Sequence, residues 1–200
     1  MIGIWLAAGL AVTAAAPFEG VITQSLKMRG GEGTMKVQIS AAGVRSEAQV
    51  AVGPNHKTST TVLITARAPD QAYVKDQTGA WRKMPIIPDT SSVPAVLEGK
   101  RLGKKTVAGH TCDHVLLTGG EVEVEYCLAP KLLTPSLVKL VRKAAMQAPQ
   151  VEKALAKLGV SGMVLEMIHK KAGTTEITLT TTAVQETKLE PALFQVPAGI

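Results

Sequence analysis

The residues best placed to do chemistry cluster in one stretch, Val107 to Pro130, VAGHTCDHVLLTGGEVEVEYCLAP, which carries both of the chain's 2 cysteines. His110, Cys112 and His114 stand at alternate positions and so share one face of a strand. Two apolar-alternating runs flank Gly119-Gly120, and a Gly-Gly pair supplies the positive φ angles of a two-residue hairpin loop. Counting outward from that loop sets Thr118 against Glu121 and Cys112 directly opposite Cys127. The same count pairs Val115 with Val124 and Leu117 with Val122 on an apolar face, and His114 with Glu125 on a polar one. Two chemistries are then open to the thiols. A structural disulfide is the reading favoured for an exported chain with a single cysteine pair. It would close a ring of about fifteen residues, worth about 3 kcal/mol in the loop-entropy picture. A directly opposed pair falls on a hydrogen-bonded site, where a disulfide sits less comfortably, and a bulge would relieve this. The alternative is a zinc ion held by His110, Cys112, His114, Cys127 and Glu125. Ligands on one flat face converge poorly, His110 sits in the turn, and oxidation competes for both thiols.

Nothing else in the chain spells a reaction. Gly159-Val160-Ser161-Gly162-Met163 lacks the second glycine of a nucleophile elbow, and there is no phosphate-cradling loop or His-Glu-x-x-His run. His56 and His169 read as exposed strand or loop residues. Glu121, Glu123 and Glu125 alternate on one strand face and read as an exposed edge device. No catalytic residue, metal or cofactor is expected. The methionines suggest binding instead. Met28, Met35, Met163 and Met167 fall on the inner face of strands, where flexible, polarizable side chains suit a cavity that adapts to alkyl chains. The alternative is that they fill an irregular core.

These residues need elements to position them. Met1 to Ala16 has an apolar core, Ile2 to Val12, and then the small-residue run Thr13-Ala14-Ala15-Ala16. It is too short to span a bilayer and reads as a secretory signal peptide over residues 1–16, although it lacks a basic start. An uncleaved helical anchor is the alternative. Residues 17–200 then form a single domain in the periplasm or outside the cell.

From Phe18 the period is two. Phe18, Ile22, Leu26 and Met28 share one side of a first strand, ended by Gly30-Gly31. Met35, Val37 and Ile39 alternate with Lys36, Gln38 and Ser40 in a second. Val44 to Val50, Thr58 to Ala68, Ala72 to Lys75 and Trp81 to Ile86 follow, separated by Gly and Pro turns. Pro85, Pro88 and Pro94 bracket a surface loop. Glu98 to Lys105 is basic and glycine-punctuated and feeds the cysteine hairpin.

The only long helical pattern comes next. Thr134 is an N-cap with Pro135 at the first helical position. Leu137, Leu140, Val141 and Ala144 form the apolar stripe, with Lys139, Arg142 and Lys143 facing away. Pro149 breaks this helix, and a second carries Val151, Leu155 and Leu158 up to Gly159. Strands return with Met163, Leu165 and Met167, and after Gly173 with Ile177 and Leu179. Short strands with regular turns describe a meander and not a βαβ fold. The expected fold is therefore mainly β with inserted helices (α+β): a curved antiparallel sheet forming an unclosed half-barrel, covered by two amphipathic helices.

Bulk composition agrees. The chain has 200 residues with 46% hydrophobic and 19% charged residues, which is globular and not disordered. Its net charge of +6 lies wholly beyond residue 16. A basic balance is compatible with anionic headgroups, an acidic partner or plain solubility. Nucleic acid is excluded on aromatic content of 3% and the lack of a stacking or recognition motif. The basic helical face of Lys139, Arg142, Lys143, Lys153 and Lys157 reads as solvated, or as a surface for headgroups or an acidic partner.

Three stretches, FEGVITQSLKMRGGEGTMKVQIS, VAGHTCDHV and LFQVPAGI, occur in that order. Together they resemble exported bacterial proteins of unknown function grouped with the outer-membrane lipoprotein carrier and receptor (LolA/LolB-like) superfamily. The matching motifs are structural: a strand, a turn and a terminal strand. The resemblance implies an unclosed β-barrel with helices, here residues 134–158 as a lid, over a hydrophobic cavity that holds acyl chains. The expected function is a non-enzymatic binding protein. It would hold a lipid, a lipoprotein acyl chain or another hydrophobic ligand on Met28, Met35, Val37, Ile39, Leu137, Leu140, Val141, Met163, Leu165 and Met167. The alternative is a protein-interaction or envelope-stress-sensing module on the same scaffold with a packed core, engaging an envelope protein.

Overall fold

The computed structural model describes residues 18–53, 56–87, 93–145, 147–196 and 200, with His56 described by its backbone alone. The segment read as a signal peptide lies outside the described residues, as do positions 88–92 of the proline-bracketed loop. Eleven strands form one antiparallel sheet in the order β6-β5-β4-β3-β2-β1-β11-β10-β9-β8-β7. These are β1 Gly20–Met28, β2 Gly31–Ser40, β3 Gly43–Val52, β4 His56–Thr65, β5 Gln71–Lys75 and β6 Trp81–Pro85. They continue as β7 Glu98–Val107, β8 His110–Gly119, β9 Val122–Ala129, β10 Met163–Lys171 and β11 Thr174–Glu186.

The order has a simple logic. Chain neighbours pair everywhere except between β6 and β7, and β1 pairs β11 to join the first and last strands at the centre of the sheet. Only β6 and β7, consecutive in sequence, lie at opposite edges. The sheet is thus an up-and-down barrel left open between β6 and β7. Register shifts at Thr23/Gln24, Val164/Glu166, His169/Lys170 and Arg101/Gly103 interrupt the ladders. Such bulges bend strands and sharpen twist, which lets so wide a sheet curl.

Glu98 to Lys105, expected only as a feeder into the cysteine hairpin, belongs to a full edge strand, Glu98–Val107. Its period-two signal is weak because most of its residues are exposed. Lysines 100, 104 and 105 and the bulge at Gly103 blunt this edge against further pairing. Ala108 (φ 47°) and Gly109 (φ 80°) make the turn into β8, so His110 is the first residue of a strand and not part of the turn. Glu121, Glu123 and Glu125 do not mark an edge either, since β9 pairs β8 on one side and β10 on the other.

The hairpin loop is Gly120-Glu121, one residue later than the Gly-Gly pair implied. Gly119 pairs with Val122. A positive φ at Gly120 (56°) followed by a residue without one is the type II′ pattern. Gly119 is needed for another reason: a Cβ there would lie 2.6 Å from the Val96 carbonyl oxygen, which presses against the strand end. Moving the loop by one shifts every pair by two and preserves the faces. Val115 now meets Tyr126, Leu117 meets Val124, and Cys127 meets His114. Cys112 and Cys127 are therefore diagonal neighbours, 5.3 Å apart at Cα, and they are disulfide-bonded.

Two helices fall between β9 and β10: α1 Pro135–Ala144 and α2 Pro149–Lys157. The Thr134 side chain accepts from the Leu137 amide and caps α1, with Pro135 in its first turn. Gly159 (φ 62°) follows the α2 C-cap, Leu158. Leu137, Val138 and Leu140 bury α1 against a cluster that includes Ile22, Val37 and Ile39. Val151, Ala154 and Leu155 bury α2 against Val115, Leu117 and Tyr126 in a second cluster. At the start of the stretch expected as a terminal strand, Leu193 and Phe194 instead end a short 3-10 helix, Pro191–Phe194; positions 197–199 lie outside the described residues. Phe194 packs with Leu63, Tyr73 and Leu189 in a third, smaller cluster.

Candidate functional site

Because each helix fills its own half of the sheet, the junction between them roofs a region that neither fills. A cavity of about 350 Å³ lies there. This is near the lower end of the roughly 300–1,000 Å³ spanned by ligand pockets. Its floor comes from Met35 and Val37 on β2, Val44 on β3, Tyr126 on β9, and Met163 and Met167 on β10. Val141, Ala144, Ala148 and Val151 close it from the helices. The register explains the convergence: Met167 pairs with both Leu179 and Tyr126, and Gln24 sits opposite Met35.

Of the residues expected to bind a ligand, Met35, Val37, Val141, Met163 and Met167 line this cavity. Ile39, Leu137, Leu140 and Leu165 are buried in the packed core beside it. Met28, at the end of β1, lines a separate shallow depression with Arg29, His169 and Ile177. The division follows distance from the helix junction: apolar residues directly under a helix are covered by it.

Several polar residues share the cavity. Gln24 is 1% exposed, and its amide nitrogen donates to the Val164 carbonyl (3.1 Å) and the Thr181 hydroxyl (3.2 Å). Arg142, Gln147 and His169 also line the wall. His169 is half-buried and not the exposed residue expected. Arg142 does not simply face away with Lys139 and Lys143: its Nε and Nη2 atoms are buried. Burial pushes the Tyr126 phenol up to about 12, against smaller opposing effects of a Gln147 hydrogen bond and the Arg142 charge. No repeating pattern marks these residues. The available signal was the three-residue gap between Ala145 and Pro149, which brings the last turn of α1 over the sheet.

Ionic contacts tie both helices down. Lys143 pairs with Asp70 in the β4–β5 turn. Arg101 on β7 donates to the Leu158 carbonyl from Nε (3.1 Å) and Nη2 (2.7 Å), and to that of Gly159 (3.1 Å). These carbonyls lie at the capped C-terminus of α2, where a cation complements the helix dipole. On the other face of the sheet, His114 Nε2 lies 3.2 Å from Glu125 as a diagonal neighbour, and Lys170 donates to Glu125 at 3.2 Å. Burial alone would raise the Glu125 pKa, but these two partners together hold it below its ordinary value of 4.5. A carboxylate lowered on folding contributes stability above its unfolded pKa and loses it as pH falls through the folded one. Thermal melts should therefore show the wild-type protein losing stability below about pH 4.5, with a shallower acid limb in Glu125→Gln.

The disulfide occupies both thiols, so the zinc arrangement built on Cys112 and Cys127 loses its two thiolate ligands. Among the described residues, no group of three His, Cys, Asp or Glu side chains could hold a metal. Among the described residues, no helix is long and apolar enough to cross a membrane.

Comparison with solved structures finds similarity to MucB in complex with MucA(peri), at 14% identity and a TM-score of 0.47, covering 90% of this chain and 55% of that one. MucB alone matches at 12% identity and a TM-score of 0.48, with 92% and 58% covered. PNGF-II in a C2 crystal matches at 11% and 0.39, with 88% and 29% covered. The chain thus spans little more than half the length of the MucB chains it matches. No curated protein matches it. Among protein families, the one described as "Domain of unknown function (DUF4412)" matches residues 18–200. The chain belongs to the DUF4412 family.

Proposed function

We propose that this protein is a non-enzymatic binding protein of an exported compartment, holding a hydrophobic ligand between its concave sheet and the two helices. The observation that carries this reading is the apolar cavity under the helix junction, walled by Met35, Met163 and Met167. Methionine tolerates varied ligand shapes because its side chain is unbranched and polarizable. A disulfide fits an oxidising space. Capture would proceed by burial of alkyl surface, worth about 0.8 kcal/mol per methylene. The helices act as the lid, with the Lys143–Asp70 and Arg101–Leu158 contacts as latches at its two ends. The test is titration of the full chain with an apolar dye that brightens on leaving water. Saturable one-to-one binding, displaced by a straight-chain lipid, supports the reading; no enhancement counts against it.

A second reading, a protein-interaction module, has one observation in its favour. Beside the β7 edge, Val96 (71%) and Leu102 (43%) are exposed apolar side chains that a partner could cover. Isolation from the exported compartment that recovers lipid and no protein would weigh against it.

A further inference from the structure

The polar groups of the cavity are not evenly satisfied. Arg142 Nε and Nη2 are buried and have no hydrogen-bond partner, and no carboxylate among the described residues pairs with this guanidinium. A buried, unpaired charge is costly, so natural proteins pair it or use it. The two orphan atoms are adjacent along one edge of the guanidinium plane. They form the parallel N–H fork that matches the two oxygens of a carboxylate.

The surroundings complete a head-group site. Tyr126 lies within reach of the Arg142 charge and Gln147 sits beside Tyr126; the Gln147 Oε1, buried without a partner, is an acceptor and would not itself contact an anion. The Tyr126 phenol stays protonated at neutral pH and can donate to an anion. Beyond these groups the wall is mainly aliphatic, with Met35, Val37, Val44 and Val141, and Gln24, Ser46 and His169 are its remaining polar residues.

We infer that the ligand is a single-chain amphiphile with a terminal carboxylate, its head gripped by the Nε/Nη2 edge of Arg142 and its tail lying on the aliphatic wall. The inference rests on the cavity being a ligand site and adds the class of ligand. One guanidinium balances the single negative charge of a carboxylate. A volume of about 350 Å³ suits one chain better than the several of a diacyl lipid.

The test compares dodecanoate, dodecanol and dodecyl phosphate, all with the same tail, by calorimetry on the full chain and on Arg142→Met and Arg142→Lys. The wild type should bind dodecanoate about tenfold or more tighter than dodecanol, since a charge-assisted fork is about twice as strong as a neutral bond. In Arg142→Met that preference should fall to within about twofold. Arg142→Lys, which keeps the charge but not the fork, should retain part of it. Equal binding of acid and alcohol to the wild type, or a preference that survives in Arg142→Met, overturns the inference and leaves the cavity reading intact. Tighter binding of dodecyl phosphate overturns the carboxylate assignment. If none of the three binds, the cavity reading falls and takes this inference with it. Thermal melts of both variants show whether they remain folded.

Discussion

Replacing Ala144 with phenylalanine is expected to weaken binding of a hydrophobic ligand about a hundredfold while leaving the fold intact. Ala144 ends α1, is half-buried, and lines the cavity directly. A phenyl ring there would project into space that holds no side chain, so it should meet the cavity before it meets packed core. Displacing about four methylenes of ligand, at about 0.8 kcal/mol each, costs about 3 kcal/mol, or about a hundredfold in Kd. Filling a void tends to stabilise, so the Tm should stay level or rise. Dye titration together with a thermal melt checks both parts. A variant that binds as tightly as the wild type would place the ligand elsewhere.

The disulfide should have the largest effect on stability. Cys112 and Cys127 are wholly buried and close a ring with a sequence separation of 15, which corresponds to about 3 kcal/mol of chain entropy. At about 2–4 °C per kcal/mol for a domain of this size, the double variant Cys112→Ala/Cys127→Ala should melt about 6–12 °C lower. The bond also ties β8 to β9, which carries Tyr126 on the cavity floor. Reducing the wild-type protein should reproduce the shift. Identical melting of oxidised, reduced and double-variant protein would mean that the ring is already ordered without its bond.

The elements that were legible in the sequence are those with a clean period. Met35, Val37 and Ile39 marked β2, and Thr134-Pro135 marked the start of α1. The glycine-flanked cysteine stretch marked β8 and β9. Face assignments survived a wrong loop because a one-residue change in loop position shifts pairing by two and leaves the alternation untouched. The edge strand β7 was missed because a strand exposed along most of its length has little reason to alternate. At the cavity, periodicity identified inward-facing residues but could not say which of them a helix would cover. Ile39, Leu137, Leu140 and Leu165 have the same pattern as Met35 and Met167, yet they are packed. The polar residues Gln24, Tyr126, Gln147 and Arg142 carry no pattern of their own. They are brought together by a sheet that joins β1 to β11 and by a helix pair that bends over it.

The most direct test of the cavity account is native mass spectrometry of the protein isolated without detergent. The account predicts a protein mass two hydrogens below the reduced value, with an added mass that organic solvent removes and that corresponds to one acyl chain. Bare protein that takes up no lipid when incubated with a total lipid extract would contradict it.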